Sequence, residues 1–567
     1  MKLLKQFLPP LQWLPAYRRE DLSGDLTAGL TVGVMLIPQG MAYALIAGLQ
    51  PIYGLYAALV PLVVYALFGT SRQLAVGPVA MVSLLVAAGV GALAPQDSSQ
   101  YVALALLLAL MVGLIQFVLG IARFGFLTNF LSHPVLSGFT SAAALIIGLN
   151  QLKHLLGVNL ARSNYVHEIL WSAVQKIGEV HLPTALIGLV SIALLVGLKR
   201  WKKAFPGALV VVVVSILAVW GLGLYNAGVK IVGEVPGGLP GFTVPDVSID
   251  NLRALLPTAL AIALVGFMES IVVAKALASK NRYEVDANQE LIGLGLANIF
   301  GALFQSYPTT GGFSRTAVND QAGARTTLAS LFSAGVIALT LLFLTPLFTY
   351  MPNAVLAAIV MVAVVGLIDI KEIRFLWRVK RQDFFLLVLT FFATLGLGIE
   401  EGILVGVVVS LVLVIHASSR PFTVVMGRLP GTKVYRNVDH YPEAGMCNGV
   451  VVLRVDAALY FANVAYVKDK LQEVETRYAP LRAIVVDAYP INRMDSSAAH
   501  ALKEVVENLH ARGIAFYFAG VKGPVMDVLK KSGLTDLVGS DHFFMEVHEA
   551  VRMAEGAEVE AATLVPA

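Results

Sequence analysis

Charged residues are scarce in this chain of 567 residues: only 14% are Asp, Glu, Lys or Arg, whereas 57% are apolar. Soluble proteins carry about 25% charged residues, and the mean hydropathy of +0.76 is far above their range. Apolar runs long enough to cross about 30 Å of hydrocarbon recur from Leu26 to about His416. The composition excludes a soluble globular protein and predicts a polytopic membrane protein.

Cysteine is almost absent from the chain. Cys447 is the single one, which excludes an internal disulfide and a cysteine metal site. The ten histidines have no metal-ligand spacing, and we find no nucleophile triad, so we expect neither an enzyme nor a cofactor. The net charge of +4 reflects lysines and arginines in loops and gives no support to nucleic-acid binding.

The N-terminus lacks the pattern of a cleavable signal peptide. Its apolar region is too short, is interrupted by Pro9 and Pro10, and has no small-residue cleavage site. We therefore expect residues 1–21 to remain as an N-terminal segment on the cytoplasmic side.

Basic residues cluster in alternate loops, while loops such as 94–100, 305–310 and 397–401 have few or none. The clusters are Arg18 and Arg19; Arg72; Arg123; Lys199, Arg200, Lys202 and Lys203; Lys275, Lys280 and Arg282; and Lys371, Arg374, Arg378, Lys380 and Arg381. By the positive-inside rule these loops face the cytoplasm. Fourteen segments then place both termini in the cytoplasm, and we expect a multi-pass protein of the inner, or plasma, membrane.

Beyond the apolar runs the composition changes to that of a soluble domain. We predict a transmembrane domain over 22–418, a linker over 419–435, a cytoplasmic domain over 436–556 and a flexible tail over 557–567. The predicted strands VVVLRVD, AIVVDA and AFYFAG alternate with predicted helices over Val464–Arg477, over Ser496–Arg512 and from Pro524. This alternation predicts a small α/β domain with a mixed or parallel sheet and helices packed on it.

Two of the fourteen apolar segments are too short to cross a bilayer. One runs from Pro78 to about Ala88, and the other from Gly312 to about Asp320. They are third and tenth in order, which is the third place in each of two sets of seven. Interrupted segments at matching positions of two halves indicate an inverted-repeat transporter with its site at the bilayer midplane.

Arg315 lies near the start of the second short segment. Two half-helices whose N-termini meet at the midplane would offer unpaired N–H groups and partial positive charge to an anion. A guanidinium beside them adds a full charge, and an ionisable group at this depth is a functional hypothesis by default. We therefore predict an anion as cargo. The alternatives are a purely structural arginine, paired with a distant carboxylate, and a loop near a membrane surface.

The first span carries two polar side chains on one helix face, Gln39 and Tyr43, four residues apart. An amide and a phenol can both donate hydrogen bonds to an anion without adding charge. The alternative is that Tyr43 is an interface aromatic and Gln39 bonds a neighbouring helix.

Glu269 lies about 20 Å along the eighth span, counted from Leu255, with only apolar neighbours three and four residues away. A carboxylate in such surroundings favours its protonated form unless a cation approaches, and Arg315 is the candidate cation. Anion binding would neutralise Arg315 and let Glu269 take up a proton, which predicts proton–anion symport. A fixed salt bridge between the two residues is the alternative.

Long stretches of the chain resemble the SulP, or sulfate permease, family, which includes animal anion exchangers and prestin. The resemblance rests on IPQGMAYALIAGLQPIYGLYAALVPLVVYALFGTSRQLAVGPVAMVSLL, on ESIVVAKALASKNRYEVDANQELIGLGLANIFGALFQSYPTTGGFSRTAVN and on the MDSS motif of the tail domain. It implies a seven-plus-seven inverted repeat divided into core and gate as in uracil permease, a carboxy-terminal STAS domain, elevator-like transport and a homodimer.

The resemblance also implies site residues. Substrate binding would fall to Gln39, Tyr43, Val79, Ala80, Phe313, Ser314 and Arg315. Glu269 matches the carboxylate of proton-coupled sulfate carriers. Ser497 matches the serine that anti-sigma-factor antagonists phosphorylate, a candidate regulatory phosphosite, although Ala498 replaces the usual glycine; helix capping by Asp495 or Ser496 is the alternative role for this motif.

The resemblance favours sulfate as the transported anion, with the proton as coupling ion. Bicarbonate, dicarboxylate or chloride transport or exchange remains an alternative within the same class. An alternative of another class is a membrane-tethered signalling protein whose STAS domain binds a cytoplasmic protein.

Overall fold

The structure is a computed structural model that describes residues 7–96, 98–129, 132–160, 166–201 and 207–556. The predicted tail 557–567, the first six residues of the N-terminal segment and the basic residues Lys202 and Lys203 lie outside the described residues. The chain forms two compact units, Met1–Ser410 and Leu411–Ala567.

The first unit is almost entirely helical. Its helices, with the last one continuing into the second unit, are α1 (Pro10–Trp13), α2 (Arg19–Ala47), α3 (Pro51–Ala57), α4 (Val60–Phe68), α5 (Ala80–Gly91), α6 (Ser99–Ile121), α7 (His133–Asn150), α8 (Leu152–Leu156), α9 (Val166–Gln175), α10 (Leu182–Trp201), α11 (Gly207–Gly221), α12 (Ile249–Asn281), α13 (Ala287–Leu303), α14 (Phe313–Gln321), α15 (Leu328–Leu339), α16 (Asn353–Val365), α17 (Ile370–Val379), α18 (Arg381–Gly396) and α19 (Ile399–Ser419). A π-helical turn, Thr340–Leu344, and a 3₁₀ turn, Thr345–Phe348, extend α15.

The predicted fourteen-segment organisation is confirmed. Within the described residues the segments are α2, the pair α3–α4, α5, α6, α7, α10, α11, α12, α13, α14, α15 with its extension, α16, α18 and α19. Eight helices of the described chain are long and apolar enough to cross a membrane. The short ones include α5 and α14, third and tenth in order, whose bounds lie within three residues of the predicted ones.

The helices of the first unit pack in two groups. Segments one to four pack with segments eight to eleven, chiefly through α6 with α13, α15 with α2, and α13 with α4. Segments five to seven pack with segments twelve to fourteen, chiefly through α18 with α7 and α10 with α16. Between the groups, α2 contacts α11 and α16, and α5 contacts α7. This division is the core and gate arrangement that the resemblance implied.

Two very short strands precede the half-helices. β1 (Val76–Gly77) leads into α5, and β2 (Thr310–Gly311) leads into α14. The strands pair antiparallel, with Val76 opposite Gly311. Each strand runs almost directly into its helix, so the pairing brings both helix N-termini to the same place.

The second unit contains a six-stranded sheet in the order β4-β3-β5-β6-β7-β8. Its strands are β3 (Thr423–Arg428), β4 (Tyr435–Asn437), β5 (Val450–Val455), β6 (Ala483–Asp487), β7 (Ala515–Ala519) and β8 (Phe543–Phe544), and its helices are α20 (Val464–Arg477), α21 (Ser496–Ala511), α22 (Gly523–Lys531), α23 (Leu534–Val538) and α24 (Val547–Ala554). The sheet is mixed: β5 to β8 are parallel, whereas β3 pairs antiparallel with β4 and β5.

The segment 419–435 differs from the linker that the composition suggested. Strand β3 lies within it and pairs with β5 from Thr423 to Met426. Alternate residues of β3, Val424 and Met426, are buried in the sheet's hydrophobic face. A strand this short carries too few apolar residues to stand out by composition, so its partners in the sheet decide its structure.

Candidate anion-binding site

The N-termini of α5 and α14 meet at the paired strands β1 and β2. Neither helix has a side-chain cap at its first residue: Val79 precedes α5 and Gly312 precedes α14, and neither side chain accepts a bond from the first turn. The first N–H groups of an α-helix have no partner within the helix. Two sets of uncapped donors therefore face the same point, as the sequence predicted.

The guanidinium of Arg315 lies between these two helix ends. It is 1% exposed and is among the largest fully buried side chains of the described residues. Its Nη1 donates to the carbonyl oxygen of Pro78 at 2.6 Å, and its Nη2 lies 3.5 Å from the carbonyl oxygen of Ala75. Arg315 belongs to α14 but is bound to the backbone that enters α5, so one side chain joins the two half-helices.

Gly312 makes this position of the guanidinium sterically accessible. A Cβ atom at residue 312 would lie 2.8 Å from both Cζ and Nη2 of Arg315. The arginine side chain therefore folds back over the first turn of its own helix. Because real Cβ atoms essentially never come that close, a larger residue would displace the charge.

The charge of Arg315 has no carboxylate in direct contact. Within the described part of the chain, no ion pair joins it to Asp or Glu at 4.0 Å or less. Its Nε is buried without a hydrogen-bond partner. The alternative of a fixed salt bridge with Glu269 is therefore absent from this structure.

Glu269 lies within electrostatic range of Arg315 but does not touch it. The side chain is half-buried on α12, and no hydrogen bond or ion pair joins it to another described residue. Its immediate neighbour in the chain, Ser270, is 0% exposed and anchors α12 to β2. Glu269 is thus held at the site by its helix while its carboxylate stays unpaired.

Gln39 and Tyr43 come to the same site from α2. Both are buried, at 6% and 5% exposure, and Tyr43 lies within electrostatic range of Arg315 and Glu269. The Gln39 Oε1 atom is buried with no hydrogen-bond partner, and no hydrogen bond joins the Tyr43 hydroxyl to another described residue. Buried polar groups are normally paired, so the unpaired Gln39 Oε1 and the free Tyr43 hydroxyl are available to a ligand.

Close backbone contact holds α2 beside the half-helix α5. A Cβ atom on Gly40 would lie 2.9 Å from the carbonyl oxygen of Gly54 and 3.6 Å from the ring of Pro78. The glycine at position 40, directly after Gln39, therefore lets α2 approach α3 and the start of α5.

The four remaining predicted site residues occupy the two helix starts. Val79 and Ala80 are buried, at 4% and 7% exposure. Phe313 is 61% exposed and Ser314 is also exposed, so the first two residues of α14 border accessible space. Their backbone N–H groups, rather than their side chains, belong to the uncapped helix ends.

A buried polar network that the sequence analysis did not single out surrounds these residues. Thr310 donates to the carbonyl oxygen of Gly266 at 2.5 Å, so the Ser270 hydroxyl, 2.7 Å away, donates to Thr310 Oγ1. Gly311 N donates to Ser270 Oγ at 2.8 Å. Tyr307, 0% exposed, pairs its hydroxyl with Ser83 of α5 at 3.1 Å. The hydroxyl-rich run SYPTT before the half-helix was the sequence signal that could have predicted this network.

A second set of bonds fixes the chain that leads into α5. Asn319 of α14 donates to the carbonyl oxygen of Gln73, and Thr316 Oγ1 accepts from Ala75 N at 3.0 Å. The buried carboxylate of Glu290 accepts from Tyr65, from the backbone and hydroxyl of Thr70, and from Ser71 N. These contacts keep β1 in place beside α14.

Comparison with known proteins gives one family match in each of the two units of the chain. A profile of the sulfate permease family matches residues 22–390, and a STAS profile matches residues 441–550. The chain belongs to the sulfate permease family. It is therefore a multi-pass membrane transporter and not an enzyme, and its second unit is a STAS domain.

The similarity to relatives covers nearly the whole length of this sulfate permease family member. It is 45% identical to the chloroplastic sulfate transporter 4.1 of Arabidopsis thaliana over 96% of this chain and 82% of that protein. It is 38% identical to a probable sulfate transporter of Mycobacterium tuberculosis over 94% of this chain and 96% of the relative. The fold is similar to that of the murine anion transporter Slc26a9 in the inward-facing state, with a TM-score of 0.90, 27% identity, and coverage of 98% and 95% of the two chains.

In this family member the STAS helix α21 begins at the MDSS motif. Asp495 accepts a hydrogen bond from Ala498 N at 2.8 Å and so caps the helix. Ser497 is exposed in the first turn of α21. An added phosphate there would lie at a helix N-terminus, where negative charge is stabilised, so Ser497 remains a prediction as a phosphosite.

Proposed function

We propose that the protein takes up sulfate together with protons across the membrane in which it resides, by an elevator-type movement of the core helices against the gate helices. The observation that carries the proposal is the buried guanidinium of Arg315, which lies between two uncapped helix N-termini and, among the described residues, hydrogen-bonds only to the backbone carbonyls of Ala75 and Pro78. A buried cation with no carboxylate in contact favours an anion as its counter-charge.

Sulfate suits the donors at this site. Its four oxygens accept many hydrogen bonds, and the site offers helix N–H groups, a guanidinium, an amide and a phenol. The sulfate transporters among the relatives support this choice over other anions. Val79, Ala80, Phe313 and Ser314 would contribute N–H groups, while Gln39, Tyr43 and Arg315 would contribute side chains.

Glu269 is the proposed proton carrier. When sulfate occupies the site, it offsets the charge of Arg315, and the half-buried carboxylate of Glu269 loses the nearby cation that favours its ionised form. Glu269 then takes up a proton and the loaded core carries less net charge. When sulfate leaves, Arg315 again favours the ionised carboxylate and the proton is released.

The packing of the helices supports an elevator-type movement. The site residues on α2, α5, α12 and α14 all belong to the group of segments one to four and eight to eleven. Contacts with the other group are mainly those of α2 with α11 and α16 and of α5 with α7. The site could therefore move as one body while its internal hydrogen bonds stay intact. We further propose a homodimer in the plasma membrane with cytoplasmic termini.

The direct test measures labelled sulfate uptake into proteoliposomes with and without an inward proton gradient. We expect the gradient to accelerate uptake by the unchanged protein, and Glu269→Gln to retain sulfate exchange while losing the acceleration. Glu473→Gln, on an exposed face of STAS helix α20, is the matched control. Uptake by Glu269→Gln that still responds to the gradient would refute the role of Glu269.

Competition by unlabelled anions tests the substrate. We expect sulfate to compete with labelled sulfate far better than bicarbonate, chloride or a dicarboxylate does. If one of these competes more strongly, the proposal of sulfate is wrong while anion transport stands. Arg315→Gln should abolish uptake in either case, because the guanidinium is the site's only cation in contact with both half-helix entries among the described residues.

A further inference from the structure

The ten-residue helix α17, with sequence IKEIRFLWRV, lies between two membrane segments without being one itself. It follows α16 after four residues and is separated from α18 by Lys380 alone. Ten helical residues span about 15 Å, half the hydrocarbon thickness. With such short connections to both neighbours, α17 must lie at a membrane surface.

The helix has a basic stripe and a wide apolar face. At 100° per residue, Lys371, Arg374 and Arg378 fall within one narrow sector. The remaining surface includes large side chains that are at least half exposed, namely Ile370, Phe375, Trp377 and Val379. Only Leu376 is buried along the described length of α17. This pattern is typical of helices that lie in the membrane interface.

The acidic side chains near the stripe already have partners. Asp369 caps the helix through Lys371 N and Glu372 N, Glu372 pairs with His133 at 3.1 Å, and Asp383 lies 3.9 Å from Lys380. By contrast, no hydrogen bond or ion pair joins the side chains of Arg374 or Arg378 to another residue in the described ranges. Two exposed guanidinium groups therefore remain free on one face.

These two arginines border an open groove. The groove has a volume of about 530 Å³ and is lined by Ile373, Arg374, Trp377, Arg378 and Phe384. The rings of Trp377 and Phe384 meet edge to face at 4.8 Å and form its aromatic wall. The Arg381 guanidinium lies 5.6 Å from the centre of the Trp377 ring. The groove thus offers cations at one rim and apolar surface beside them.

We propose that this groove binds an anionic phospholipid, with the phosphate held by Arg374 and Arg378 and an acyl chain lying against Ile373, Trp377 and Phe384. An anionic lipid is the one partner that carries both chemistries and is present at the membrane surface where α17 lies. Bidentate contacts between arginine and phosphate suit the two free guanidinium groups.

Native mass spectrometry of the full-length protein in detergent tests the proposal by counting lipid adducts. Phosphatidylglycerol and phosphatidylcholine with identical acyl chains are titrated in parallel. Since each arginine near a charged lipid contributes about a factor of five in affinity, Arg374→Gln should weaken phosphatidylglycerol binding about fivefold and Arg374→Gln/Arg378→Gln about thirtyfold. Phosphatidylcholine binding should change little.

Matched variants show whether lipid binding depends on this groove or on the positive charge of the protein in general. Lys433→Gln/Arg436→Gln removes two exposed cations from the STAS domain and should leave the adducts unchanged. Arg374→Lys/Arg378→Lys keeps the charge and should retain most of the binding. A large excess of inorganic phosphate should not displace the lipid, because phosphate lacks the acyl chain.

Three results would overturn the proposal. Equal affinity for the two lipids would show no preference for anionic headgroups. Full binding of phosphatidylglycerol to the double glutamine variant would place the lipid elsewhere. A change of oligomeric state in that variant, with adducts unchanged, would assign the groove to a second copy of the chain instead.

Discussion

Replacing Gly312 with alanine should weaken sulfate binding because the new methyl group collides with the Arg315 guanidinium. The Cβ atom would lie 2.8 Å from Cζ, whereas ordinary van der Waals contact begins at 3.4 Å. The guanidinium must therefore move by about 0.6 Å, which disturbs its 2.6 Å hydrogen bond to the carbonyl oxygen of Pro78. Complete loss of this hydrogen bond to a charged group would correspond to about 1.5–3 kcal/mol, so we expect a fall in affinity of up to roughly 10- to 100-fold.

Labelled-sulfate binding to the purified protein measures this effect, and thermal unfolding reports on the fold. Gly335→Ala is the matched control, because a Cβ atom at position 335 of α15 meets nothing within 4 Å. We expect Gly335→Ala to bind sulfate as the unchanged protein does and to unfold at an equal or higher temperature, since alanine favours helices over glycine.

A double-mutant cycle on thermal stability shows whether Arg315 is the group displaced. Gly312→Ala should lower the unfolding temperature of the unchanged protein but have a much smaller effect in an Arg315→Ala background, where the colliding atoms are gone. If the methyl group is equally harmful in both backgrounds, or if Gly312→Ala binds sulfate normally, then the guanidinium does not occupy the position between the half-helices on which the proposed function depends.

Three further predictions concern other parts of the molecule. Ser270→Ala should lower the free energy of unfolding by about 1–3 kcal/mol, because Gly311 N would be buried without its acceptor; an unchanged melting temperature would contradict this. Glu290→Ala should destabilise the protein by about 2 kcal/mol, because the Tyr65 hydroxyl, Thr70 N and Ser71 N would lose their acceptor, whereas the exposed Glu284→Ala should melt normally. Burial raises the pKa of the Cys447 thiol above its usual range, so the thiolate fraction near pH 8 is reduced. Alkylation should therefore be slower in the native protein than after denaturation and should speed up as the pH rises; equal rates would refute the burial of this thiol.

The membrane class, the number of segments and the two interrupted helices could all be predicted from the sequence. These features follow from local composition: a bilayer requires about 20 apolar residues for each span, so shorter segments such as Ala80–Gly91 and Phe313–Gln321 stand out along the chain. Arg315 stood out for the same reason, because a charge within an apolar region is rare. In the STAS domain the strands β5, β6 and β7 and the helices α20, α21 and α22 followed from their apolar patterns.

The contacts of Arg315 could not be predicted in this way. Local sequence suggested Glu269 as its partner, yet the guanidinium binds the carbonyl oxygens of Ala75 and Pro78, more than 200 residues away in the chain. Strand β3 was similarly hidden, because only its pairing with β5 distinguishes it from a linker. The antiparallel contact between Val76 and Gly311 decides both where the helix ends meet and which carbonyls face the arginine.

Sequence alone determined that the chain spans a membrane, that two of its helices are interrupted, and that one arginine lies beside the second interruption. These are properties of short stretches of chain, which hydrophobicity and helix length decide. Only the tertiary structure decided which backbone carbonyls Arg315 binds, that Gly312 leaves room for the guanidinium, and that Glu269 stays near it without contact. Such distances depend on how segments far apart in the chain pack together, and no local pattern encodes them.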